Sequence, residues 1–70
     1  MKKYYLAITI KENDKFYPYA IPVYESDNIV QILAKIENVQ TVNIFDTKKH
    51  TRIFVDRQRE ACKRNGTYMF

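Results

Sequence analysis

Hydrophobic and polar positions alternate over residues 4–10, with Leu6, Ile8 and Ile10 on one side and Tyr5, Ala7 and Thr9 on the other. A period of two predicts a first strand. The polar run 11–15 interrupts it, and Asn13-Asp14 within that run suits a turn that needs positive φ or side-chain to backbone bonding. Residues 16–24 then read as a second strand, returning as a hairpin. At Ser26-Asp27-Asn28 the pattern changes to helical: three good N-cap residues precede Ile29, Ile32, Leu33 and Ile36, spaced for one helix face. Asn38 is a suitable stop. Val39–Phe45 reads as a third strand, and Asp46-Thr47 caps a second helix running to about Arg64. The apolar stripe of that helix is thin: Thr51, Phe54, Val55, Gln58, Ala61 and Cys62. Asn65-Gly66 ends it, with Gly66 suited to the left-handed position after the helix, and Thr67 to Phe70 form a short apolar tail.

Two prolines constrain the topology. Pro18 and Pro22 lack an N–H, and their spacing of four puts both missing donors on the same strand edge. The second strand therefore belongs at the border of the sheet, the first in the centre and the third on its far side. The expected fold is α+β: a three-stranded antiparallel sheet of order 2-1-3 in a single β-β-α-β-α domain, with both helices on one face. That arrangement leaves the face carrying Tyr5, Ala7, Thr9, Ala20 and Tyr24 open.

Length limits what else is present. The core of a chain of 70 residues supplies only about 3–5 kcal/mol of net stability. One cysteine, Cys62, makes no internal disulfide, and one Cys with one His makes no structural zinc site. No cofactor is expected. The apolar run after the opening Met-Lys-Lys is too short and interrupted for a signal peptide, and nothing approaches a membrane span. With its lone thiol the chain is expected in a reducing compartment, the cytoplasm.

Charge changes the picture more. From Thr47 onward there are seven Lys/Arg against two acidic residues; before it there are five against six. The excess positive charge belongs to the last third, where a polyanion would meet it. Lys48, Lys49, Arg52, Arg59 and Lys63 are the candidate phosphate contacts, in company with Arg57 and Arg64. Arg52, Asp56, Glu60 and Arg64 also follow one another at i, i+4, as on an ordinary solvated helix face. Both readings stand at the level of sequence.

Six tyrosines are the other candidate. On a sheet face they serve packing, a protein contact or base stacking, and no RNP-type motif singles out the last. Tyr5, Ala7 and Tyr24 on the open face, with Tyr68 and Phe70 in the tail, are the candidate protein-interface residues. His50 has no nucleophile or acid at a telling spacing. Cys62 near a helix end reads as a small buried hydrophobe, with a redox role the weaker alternative. A single glycine excludes phosphate-binding glycine loops, and no carboxylate pair suggests acid–base chemistry. An enzyme is not expected.

Three runs carry a resemblance: Phe16-Tyr17-Pro18-Tyr19-Ala20, Asp46-Thr47-Lys48-Lys49 opening the second helix, and Lys63-Arg64-Asn65-Gly66-Thr67-Tyr68 closing it. Together they resemble a group of short proteins of Gram-positive gut bacteria and their mobile elements, over nearly the whole chain. Arg57-Gln58 departs from that pattern, where bulky aromatics are expected. The group has no established activity, so the resemblance implies no site residues. The leading expectation is a small non-catalytic protein-interaction or regulatory module, with a protein partner or self-association. The alternative is a nucleic-acid-binding accessory protein using the basic helix.

Overall fold

The computed structural model describes residues 2–69; Phe70, a candidate interface residue, lies outside them. The elements are β1 (Lys3–Glu12), β2 (Lys15–Tyr24), α1 (Ile29–Ala34), β3 (Val39–Phe45) and α2 (Lys48–Arg64). They form an α+β domain whose three-stranded sheet has the order β2-β1-β3, with both neighbours antiparallel to β1. Asn13 and Asp14, at φ 52° and 63°, make the two-residue turn between β1 and β2. Left-handed φ at both positions matches the right-handed twist of a hairpin.

The prolines lie where their missing donors require. Phe16 and Tyr24 share strand parity with Pro18 and Pro22, and both send their N–H away from β1. Phe16 donates to the Thr67 carbonyl (2.6 Å) and Tyr24 to Asp27 Oδ2 (2.7 Å). Pro18 and Pro22 thus face outward on the same edge, where no ladder bond is lost.

The helices, however, lie on opposite faces of the sheet, not together on one. α1 brings Ile29, Ile32 and Leu33, with Ile36 just beyond it, against the buried cluster Leu6, Ile8 and Val23. These strand residues, with Tyr19, Ile21 and Val42 beside them, form one face by register. α2 covers the other face. There Ala7 is 2% exposed, Thr9 and Pro18 are buried, and Thr51 and Val55 are the buried residues of the helix. Phe54 of α2 meets Phe45 of β3, ring centroids 5.3 Å apart. The face expected to be open is therefore covered over its middle. Size matching explains the division. The small side chains Ala7, Thr9, Pro18 and Ala20 let a helix with a thin stripe of Thr51, Val55 and Cys62 approach closely. The bulky Leu6, Ile8 and Val23 take the branched aliphatic side chains of α1.

Both helices are capped as their sequences indicate. Asn28 Oδ1 accepts from the Gln31 N–H, and Thr47 Oγ1 accepts from the His50 N–H, both at 3.2 Å. Thr51 is 1% exposed, and its hydroxyl donates to the Thr47 carbonyl at 2.7 Å. That bond satisfies a polar group that burial would otherwise leave costly. α2 ends at Asn65 and Gly66, the latter at φ 69°. The tail then bridges to the outer edge of β2, the Met69 N–H donating to the Phe16 carbonyl (2.9 Å). A Cβ at position 66 would meet no atom within 4 Å, so only backbone strain opposes it. Gly66→Ala should lower the free energy of urea unfolding by about 1 kcal/mol, without disturbing the folded spectrum.

Tyr19 lies among the partly buried side chains on the α1 face, stacked on Tyr17 with centroids 5.5 Å apart. Burial, and secondarily the nearby Tyr17 hydroxyl, raises its pKa above the ordinary 10.0. The folded chain then holds the phenolic proton more tightly than the unfolded one. Stability from this group is complete below pH 10 and falls as pH rises through the folded-state pKa. Tyr19→Phe is expected to flatten that alkaline decline in a pH series of thermal melts.

Candidate basic and aromatic groove

The residues that α2 leaves uncovered at one end of its sheet face form a groove of about 710 Å³ between β2 and the helix. Its location follows from period and register. Lys48, Arg52 and Arg59 fall at spacings of four and seven, so they share one flank of α2, the flank turned toward β2. Tyr5, Ala20 and Pro22 line the strand side. Lys3 joins them because it shares strand parity with Tyr5 and pairs across the sheet with Tyr24.

The groove thus brings together residues from both sequence-level candidate sets. Its lining carries four cationic side chains, Lys3, Lys48, Arg52 and Arg59, and a single carboxylate, Asp56. Lys48 and Arg52 are exposed, while Arg59 is half-buried. The Lys3 ammonium lies 5.8 Å from the Tyr5 ring centroid and 5.7 Å from that of Tyr24. It is attracted electrostatically to both aromatic faces. Tyr24 does not line the groove but adjoins it through Lys3, and at 48% exposed its ring is offered to solvent.

The other candidates divide differently. Lys49 does not line the groove, and neither does Lys63. Lys63 instead sits over the Tyr68 ring at 5.2 Å. Arg59 has a structural part as well: its Nε donates to the Pro18 carbonyl (3.0 Å), and its guanidinium lies 5.6 Å from the Tyr17 centroid. It therefore clasps the outer edge of β2. Tyr68 is half-buried against Tyr17, with centroids 6.3 Å apart, which makes it an anchor of the tail. Ala7 lies under α2 and is not offered to a partner. Sequence reasoning did not single out Lys3, although its parity with Tyr5 placed it on this face.

A second hollow, of about 240 Å³, lies on the far flank of α2, where Cys62, Thr9 and Gln58 are among its lining residues. None of its lining side chains is charged. His50 is exposed in the first turn of α2. Among the described residues no three His, Cys, Asp or Glu side chains converge as a metal site, and no helix is long and apolar enough to cross a membrane. Comparison with protein-family models, curated proteins and solved structures returned no match.

Proposed function

We propose that the protein is a non-catalytic module of the cytoplasm that holds single-stranded nucleic acid in the groove between β2 and α2. The observation that carries this reading is the convergence of Lys3, Lys48 and Arg52 on a concave surface lined also by Tyr5, with the exposed Tyr24 ring next to Lys3 outside the lining. Single strands are held by such a combination: cations follow the phosphates and exposed rings stack on bases, without dependence on sequence. Reading the bases of a duplex would require an element protruding into its groove. The outward side of α2 carries Lys49, Arg57 and Arg64 together with Glu60 and the 40% exposed Ile53, whereas Lys48, Arg52 and the half-buried Arg59 line the recessed flank beside Tyr5.

Fluorescence anisotropy of a labelled oligothymidylate, titrated at several salt concentrations, tests the reading. Three or four phosphate contacts predict that log K falls with log salt at a slope of about −2 to −3. Tyr24→Ala should weaken binding by about 1 kcal/mol or more while leaving that slope unchanged. Absence of binding at low salt, or affinity indifferent to salt, would sink the proposal.

A further inference from the structure

We infer that the chain pairs with a second copy of itself through the outer edge of β3, joining two three-stranded sheets into one of six strands. The two edges of the sheet are unlike. Along β2, Pro18 and Pro22 supply no N–H, Phe16 is bonded to the tail and Tyr24 to Asp27. Along β3, Thr41, Asn43 and Phe45 pair with Thr9, Ala7 and Tyr5 of β1. The alternate residues Val42 and Ile44 turn their backbone N–H and C=O groups outward. The register shift between Thr9 and Ile10 is confined to the start of β3, at Gln40, and leaves 41–45 regular.

Edge strands are ordinarily blunted by charge or proline. Val39–Phe45 has neither, in a chain that is 29% charged. Its side chains add to the contrast: Ile44 is 57% exposed and Val42 half-buried, both on the α1 face, where Val30 is 76% exposed. A second copy is the occupant that fits. A twofold axis at Asn43 sets Val42 of each copy opposite Ile44 of the other as bonded pairs, extending both apolar faces across the junction. The assembly is also finite, because each outer edge of the six-stranded sheet is then a proline-bearing β2. Self-pairing through β2 would place prolines against the partner, and a head-to-tail β2–β3 contact would do so in every copy.

The test is sedimentation equilibrium of the intact chain, together with cysteine crosslinking. The expected mass is twice the chain mass of 8.4 kDa at micromolar concentration. Ile44→Lys should raise the dimer dissociation constant about tenfold or more, since the symmetric contact takes up each substitution twice. Because Ile44 is largely exposed, its circular dichroism should match that of the parent. In a Cys62→Ser background, Asn43→Cys should oxidise to a covalent dimer. An unbonded antiparallel pair brings the Cα atoms to about 4.5 Å, within disulfide reach, whereas Thr41→Cys, set opposite Phe45, should not. A single-chain mass at every concentration, or a dimer insensitive to Ile44→Lys, would overturn the inference.

Discussion

The double variant Lys48→Glu/Arg52→Glu is expected to lose oligothymidylate binding by about a hundredfold or more, while its unfolding midpoint stays close to that of the parent. Both side chains are exposed and line the groove. Each charge-assisted contact to phosphate contributes about 1.5–3 kcal/mol, and glutamate adds repulsion in place of what is removed. Lys49→Glu/Arg57→Glu makes the same change in net charge on residues outside the groove lining. It should cost under about tenfold, through the long-range field alone. Equal losses in the two variants would mean that the chain's overall charge, and no particular site, attracts the polyanion.

The second large effect concerns the sheet face beneath α2. Ala7→Leu should destabilise the fold by about 1–3 kcal/mol, because added methylenes in a packed layer force side chains off their rotamers or shift the backbone. That is a large share of the net stability a core this small provides. Ala20→Leu, on the same face but exposed, should change stability by under about 0.5 kcal/mol. Urea unfolding of the two variants separates the alternatives. An uncovered face would tolerate leucine equally well at both positions.

Much of the fold was legible because single residues dictated it. Two prolines four residues apart fixed the border strand, Asn13-Asp14 supplied the hairpin turn, and Thr47 and Gly66 bounded α2. The placement of α2 is not legible in this pattern, since periodicity identifies the apolar face of an element but not the surface it meets. The correct pairing lay in side-chain size, a weaker signal. Ala7 and Thr9 looked like the residue of an uncovered face, but their small volume is what admits a helix. The extent of α1 was also shorter than its apolar spacing indicated, since the helix ends at Ala34 and Ile36 packs from the turn beyond.

The site was legible in parts. Charge asymmetry pointed to α2, and the strand tyrosines pointed to this sheet face, but as rival explanations. Cross-strand register joins them, setting Lys3 against Tyr24 and Tyr5 against Pro22. Lys63 and Arg59 show why composition alone misleads: one sits over Tyr68, and the other holds the Pro18 carbonyl. Net charge counts both among free cations.

The most direct test of the groove as a nucleic-acid site is an amide chemical-shift titration of the isotopically labelled chain with an oligothymidylate. Shifts concentrated at Lys3, Tyr5, Ala20, Lys48 and Arg52, saturating together and reversed by salt, are the predicted result. Shifts confined to α1 and β3, or no shifts at low salt, would contradict it.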